Sequence, residues 1–220
     1  MMAGIRDGID FLKKDFWLTF RYSLFLAAGY LLVIPVIRGI AHLDAIQSAQ
    51  CLSQTFSLMA MILFVPVVAP EMNPDIREII YSRSWSYAHT VMIRLCLALV
   101  MLICMIIGFA YVMKYHGCQF PYGIYVSCTI IYTAILGIMS LFITMLTRHV
   151  LAGYLFVISY WSCCQSQIIS QDSIYYLFAI VDGRFVVTKV IMTLLLLFLM
   201  GIGMIVFLKK DEDSWRIFSL

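Results

Sequence analysis

The chain has 220 residues, of which 63% are hydrophobic and 12% are charged. An average soluble domain is about 45–50% apolar and about 25% charged, so this composition excludes a soluble globular fold and predicts that lipid surrounds most of the chain. The formal net charge of +3 is too small to indicate a nucleic-acid-binding protein, and the positions of the charges are more informative than their sum.

The first predicted element is an amphipathic helix within residues 1–21. Its apolar face consists of residues at helical spacing: Ile5, Ile9, Leu12, Phe16 and Phe20. Aspartate and lysine side chains lie away from this face. Such a helix is expected to lie flat on the inner surface of the membrane before the chain turns into the first span. A plain juxtamembrane anchor is the alternative.

Six long stretches that are nearly free of charge predict six transmembrane helices. A helix that crosses a bilayer needs about 20 apolar residues, and these stretches are continuously apolar, unlike the alternating strands of a membrane barrel. The predicted spans are 22–40, 50–70, 92–113, 122–147, 150–170 and 189–208. The predicted fold class is therefore an all-α membrane protein with a single transmembrane domain, residues 1–220.

The basic residues divide unequally between the two sides of these six spans. One side carries only Arg38, Lys114, Arg184 and Lys189, and the other eleven of the 15 Lys and Arg residues lie on the side that holds both termini, including the tail 209–220. Cytoplasmic loops carry the excess of Lys and Arg in membrane proteins. We therefore expect a multi-pass protein of the cell membrane with both termini in the cytoplasm.

The cytoplasmic segment between the second and third spans, residues 71–91, contains a short predicted helix. Asn73 is a good N-cap residue, Pro74 suits the first helical position, and Asp75 is favoured at the positive end of the helix dipole. Isoleucines and charged side chains follow: Ile76, Arg77, Glu78, Ile79, Ile80 and Arg83. A short capped helix of this kind suits docking to a partner, whereas the alternative is a solvated loop whose charges only set the topology.

This segment resembles the cytoplasmic coupling loop of ABC-2 type transporter permeases, the membrane subunits of one class of ABC exporters. In that family a Glu ends the second span, a second Glu follows seven residues later, a turn of small residues comes next, and a basic residue opens the third span. Glu71, Glu78, the turn 82–84 and Arg94 stand at those positions. In layout the resemblance covers the whole chain, since the family has six spans, an N-terminal interfacial helix and cytoplasmic termini.

The resemblance implies the permease subunit of an ATP-driven exporter, working as a homodimer or as a heterodimer with a second permease. Two copies of a separate ATPase subunit would bind ATP and magnesium, so that this chain holds no cofactor or metal and is not an enzyme. The residues implied to couple to the ATPase are Glu71, Ile76, Arg77, Glu78, Ile79, Ile80, Arg83 and Arg94. Short external loops and an apolar interior suit an amphipathic or hydrophobic cargo, such as a peptide, a lipid-like molecule or a drug.

The segment 173–181, before the last predicted span, is apolar but too short to cross the bilayer. We expect it to form an external re-entrant or interfacial segment that protein covers, and the ABC-2 family has short external helices at this point. An ordinary amphiphilic loop is the alternative.

Aromatic residues near the outer loops, including Tyr122, Trp161 and Tyr176, are expected to form an interfacial belt, with lining of an export route as the other possibility.

Several functional classes lack the residues that they need. The sequence contains no P-loop, no serine- or metallo-hydrolase motif, and no charged residue in the middle of a predicted span, which counts against an ATPase, an intramembrane enzyme and an ion-coupled carrier. The remaining alternative is an ATPase-independent membrane protein of the same topology, either a small carrier or an immunity or assembly factor.

Four cysteines lie toward the outer face, and their spacing favours no disulfide pair: Cys51, Cys118, Cys163 and Cys164.

Overall fold

The computed structural model describes the backbone of residues 2–72 and 87–170, together with scattered later positions. Those positions are 173, 176–178, 181, 191, 193–195, 198, 200–203 and 206. Side chains are described from Phe16 onward within this set, except at positions 71, 87 and 88. Every regular element in this part of the chain is helical, which confirms the predicted all-α fold class.

Four helices in the described part are long and apolar enough to cross a membrane, and they identify the chain as a helical membrane protein. They are Phe16–Arg38, Ala45–Val67, His89–Tyr115 and Tyr122–Thr147, and they coincide with the first four predicted spans. The fifth predicted span coincides with a shorter helix, Val150–Gln165, which is about 24 Å long at about 1.5 Å per residue. The sixth lies partly outside the described residues, so the count of six stays a prediction.

The first helix, α1, is continuous from Met2 to Arg38. Its 37 residues extend about 55 Å, well beyond the roughly 30 Å of bilayer hydrocarbon. The expected turn near residue 21, from a flat interfacial helix into the first span, is therefore not present. The reason is local, because neither Gly nor Pro stands between Gly8 and Gly29 and nothing in that stretch stops a helix once it has formed.

Two helices end at glycines in the left-handed region. After α1, Gly39 has φ +76° and its N–H donates to the Pro35 carbonyl at 2.9 Å. The third long helix, α4, spans Tyr87–Tyr115 and is followed by Gly117, which has φ +80° and donates to the Lys114 carbonyl at 3.1 Å. These bonds satisfy carbonyl groups of the last helical turns, and glycine adopts the required backbone without the steric cost that a Cβ imposes.

The loops 39–44 and 116–121 that follow these two helices contact each other. The His42 N–H donates to the His116 carbonyl and the Gln119 N–H to the Leu43 carbonyl, both at 3.2 Å. The Cys118 thiol donates to the carbonyl of residue 40 at 2.9 Å. The ends of α1 and α4 are thereby held together on the side of the bundle that the charge distribution predicts to be external.

The second span is not a single α-helix. It is built, in order, from α2 (Ala45–Gln50), a π-helical turn (Cys51–Thr55), a 3-10 turn (Phe56–Leu58), α3 (Met59–Phe64) and further 3-10 turns at Val65–Val67 and Ala69–Met72. Pro66 lies in the turn after α3, where its missing N–H interrupts α-helical bonding. No such local cause accounts for the π-helical turn.

The second span lies at the centre of the bundle. One buried cluster joins Phe56 and Leu63 to residues of α1, α4 and the helix α5 (Tyr122–Thr147). A second cluster joins the other side of the span to α5 and to α6 (Val150–Gln165). By contrast, α1 and α4 expose much of their apolar surface, as expected for helices that face lipid.

Two glycines allow close packing around α5. Gly137 in α5 faces the ring of Phe64, and Gly153 in α6 faces Ser140 and Thr144 of α5. A Cβ at either position would meet these atoms at less than normal van der Waals distance. The backbone of α5 is therefore close to the second span at Gly137 and to α6 at Gly153.

Candidate functional site

The structure describes the part of the predicted coupling site where the loop between the second and third spans leaves the helical bundle. Arg94 lies in the second turn of α4 and is only 3% exposed. Its Nη1 donates to the carbonyl oxygen of Val67 at 3.1 Å, at the end of the second span. Because Val67 and Arg94 flank the segment between the second and third spans, this bond joins the two ends of that segment inside the protein.

The structure places only some of the predicted coupling residues. The backbone of Glu71 lies in the 3-10 turn Ala69–Met72, one turn beyond Val67. The others except Arg94 lie outside the described residues: Ile76, Arg77, Glu78, Ile79, Ile80 and Arg83. The side chain of Arg94 lies inside the bundle, and the predicted role of these residues in coupling to a partner stays a prediction.

A second polar arrangement surrounds the irregular part of the second span. The carbonyl oxygen of Gln54 accepts a hydrogen bond from Nε1 of Trp161 at 2.8 Å, and that of Thr55 accepts one from the Tyr30 hydroxyl at 2.7 Å. The side chain of Gln54, which is buried, accepts a further bond from Nη2 of Arg38 at 3.0 Å. We name this group of five residues the span-2 junction.

The span-2 junction connects three helices. Tyr30 and Arg38 belong to α1 and Trp161 belongs to α6, so two of the helices that pack on the second span donate to its backbone or side chain. Backbone carbonyl groups in an apolar interior need a donor, because leaving one without a partner costs about 1–3 kcal/mol. The chemistry of the junction is therefore that of a structural link, with its acceptors occupied by protein donors.

Sequence reasoning missed the role of the span-2 junction. Trp161 was expected to belong to an interfacial aromatic belt, whereas its indole N–H is used inside the bundle. The sequence signal was the run of polar residues in the first half of the second span, which includes Gln54, because a polar side chain there needs a partner once it is buried. Which residue supplies that partner depends on packing between distant parts of the chain.

The described positions of the segment 173–181 are covered by protein. Tyr176, Leu177 and Phe178 are buried against α5, α6 and the second span. Trp161 packs edge-on against Phe178, with ring centroids 6.5 Å apart. Turn hydrogen bonds link the Tyr176 N–H to Ser173 and the Val181 N–H to Phe178. This packing fits the expected covered segment, although its depth in the membrane stays a prediction.

Neither the cysteines nor the comparisons with known proteins identify the family of this chain. All seven cysteines are free thiols, and Cys51, Cys118, Cys128 and Cys164 are buried. A comparison with protein-family models, with curated proteins and with solved structures finds no match to this chain. The function is therefore argued from the residues, the fold and the motif resemblance.

Proposed function

We propose that this chain is the membrane subunit of an ATP-driven exporter of the ABC-2 type, moving an amphipathic or hydrophobic cargo out of the cell. The observation that carries the proposal is the buried bond from Arg94 to the Val67 carbonyl. This bond lies where the segment that resembles the family's coupling loop meets the second and third spans. A mechanical coupling element needs a stiff connection to the spans at this point.

In the proposed mechanism the chain itself hydrolyses nothing. Two copies of a separate ATPase subunit bind ATP and magnesium and close on each other, and the predicted helix 74–82 sits in a groove of the ATPase. Ile79 and Ile80 supply the apolar contact of that joint. Charged residues around them pair with the ATPase: Glu71, Arg77, Glu78 and Arg83. Closure of the ATPase subunits then pulls on the loop.

Arg94 carries that pull into the membrane domain. Its guanidinium ties the first turns of α4 to the last turns of the second span through Val67. A displacement of the loop therefore moves both spans together instead of bending the loop alone. The second span in turn contacts α1, α5 and α6, so the movement reaches the whole bundle and supports a switch between inward- and outward-facing states.

Co-expression with candidate ATPase subunits tests the proposal. The tagged chain is purified in mild detergent, and both bound ATPase and ATP hydrolysis by the complex are measured. The double substitution Ile79→Asp/Ile80→Asp is expected to remove the ATPase, because it places two charges in an apolar contact. The matched control is Thr147→Asp/His149→Asp, which adds the same charge at exposed positions of the other predicted cytoplasmic loop and should leave the complex intact.

Arg94→Lys provides an independent arm of this experiment. Since Arg94 is buried in the bundle, its substitution should leave the ATPase bound while weakening the effect of ATP on the membrane domain. Retention of the ATPase by the Ile79→Asp/Ile80→Asp variant would remove the docking role from the helix. Failure of every candidate ATPase to bind, with transport driven by a proton gradient alone, would favour a small carrier instead.

A further inference from the structure

The second span contains a wide turn followed directly by a tight turn. Cys51–Thr55 is a π-helical turn, whose backbone bonds span five residues, and Phe56–Leu58 is a 3-10 turn, whose bonds span three, against four in an α-helix. The two deviations have opposite signs and offset each other. The helix before Cys51 and the helix after Leu58 are therefore rotated relative to each other nearly as they would be in one continuous α-helix. If Cys51–Leu58 became α-helical, only this segment would have to move.

Side chains donate to backbone carbonyl groups at this change of winding, where the backbone bonding passes from five-residue to three-residue spacing. The Gln54 carbonyl accepts from Oγ of Ser57 at 2.9 Å and from Nε1 of Trp161 at 2.8 Å. The Thr55 carbonyl accepts from the Tyr30 hydroxyl at 2.7 Å.

These side-chain bonds favour the irregular winding over the α-helical one. Rewinding to an α-helix would turn the carbonyl groups of Gln54 and Thr55 about the helix axis, away from the donors on Trp161 and Tyr30 that they face in the π/3-10 state. An interaction made in only one of two states shifts the population toward that state. Each donor should bias the winding roughly threefold, given the average strength of hydrogen bonds between membrane helices.

We propose that Cys51–Leu58 is a two-state segment that rewinds to an α-helix, and that Tyr30 and Trp161 hold it in the π/3-10 state. Tyr30 lies on α1 and Trp161 on α6, so separation of either helix from the second span releases a donor and favours rewinding. The winding of the second span is thereby coupled to the packing of the bundle. This inference goes beyond the proposed function and does not depend on an ATPase.

Phe56 provides a direct reporter of the winding. A 3-10 turn advances about 120° per residue and an α-helix about 100°, so rewinding Phe56–Leu58 would rotate Phe56 by about 60° relative to α3. The Phe56 ring is fully buried, and its centroid is 5.0 Å from that of Phe109 in α4. A rotation of this size separates the two rings.

Fluorine NMR of the full chain with 4-fluorophenylalanine at position 56 tests the proposal, because the ring of Phe109 shifts the fluorine resonance. Phe109→Leu assigns the resonance of the packed state. Tyr30→Phe and Trp161→Phe should each move population from that resonance to a second one by roughly threefold, and together by roughly tenfold.

Two substitutions of the same chemistry serve as matched controls. Tyr122→Phe removes a hydroxyl bond to the Ile107 carbonyl, which lies outside the second span. Trp17→Phe alters an exposed tryptophan of α1. Both should leave the populations unchanged. An unchanged single resonance in Tyr30→Phe and Trp161→Phe would overturn the proposal, as would equal shifts in the controls, and the single variants decide the matter if the double variant does not fold.

Discussion

Replacing Gly153 by alanine should destabilise the bundle, because α5 and α6 contact each other at this glycine. The new Cβ would lie 2.9 Å from the carbonyl oxygen of Ser140 and 3.3 Å from Cγ2 of Val65, and it would overlap Oγ1 of Thr144. The Ser140 oxygen belongs to the backbone of α5 and cannot rotate away. The two helices must therefore move apart by some tenths of an ångström to admit one methyl group.

Two opposing terms set the size of this effect. Alanine is favoured over glycine in a helix by about 1 kcal/mol, whereas forcing extra volume into a packed core costs about 1–3 kcal/mol. Since backbone and a buried side chain both obstruct the Cβ, the upper part of the second range applies. We expect a net loss of about 1–2 kcal/mol in the free energy of unfolding.

The free energy of unfolding is measured by titration with SDS in mixed micelles, followed by circular dichroism. Gly29→Ala is the matched control, since a Cβ at this position of α1 would meet no atom within 4 Å and only the helix propensity changes. Adding Thr144→Ala should recover part of the loss in Gly153→Ala by removing the overlapping hydroxyl. If Gly153→Ala proves as stable as Gly29→Ala, the close contact between α5 and α6 is refuted.

Three further predictions use the same titration. Gly137→Ala should lower the free energy of unfolding, because an overpacking cost of about 1–3 kcal/mol at 2.6 Å from the buried ring of Phe64 opposes a helix-propensity gain of about 1 kcal/mol, and Phe64→Leu should reduce that loss. Gly117→Ala should lower the free energy of unfolding more than Gly39→Ala. Both positions have a left-handed backbone, which costs an alanine about 1–2 kcal/mol, but only at Gly117 would the Cβ also meet another side chain, at 3.1 Å. Arg94→Ala should lose about 1.5–3 kcal/mol with its bond to a buried carbonyl, and equal stability of Arg94→Ala and the wild type would contradict the described geometry.

The spans were the most predictable part of the fold. The prediction 122–147 matches the bounds of α5, because Pro121 precedes the apolar run and Arg148 follows it. The ends of α1 and α4 also had a readable signal in Gly39 and Gly117, which follow the apolar runs and adopt the left-handed backbone of a helix cap. The predicted turn between the interfacial helix and the first span failed, because amphipathicity indicates which face is apolar but not where a helix bends.

The candidate site was less predictable than the spans. The sequence indicated Arg94 as a basic residue near the start of the third span, but its burial and its bond to the Val67 carbonyl were not expected, since charge counting treats a basic residue near a membrane end as solvated. The helix 74–82 and its docking role stay predictions, and the docking role rests on the motif resemblance. Its test is the loss of the ATPase in the Ile79→Asp/Ile80→Asp variant.

The sequence by itself determined that this protein is helical and surrounded by lipid. Those properties follow from the length and hydropathy of continuous segments, and each segment carries that information without reference to the others. Only the tertiary structure decided how the second span is wound. Its carbonyl groups find donors on Tyr30 and Trp161, which are 25 and 107 residues away from their acceptors in the chain, and no local pattern encodes such a pairing.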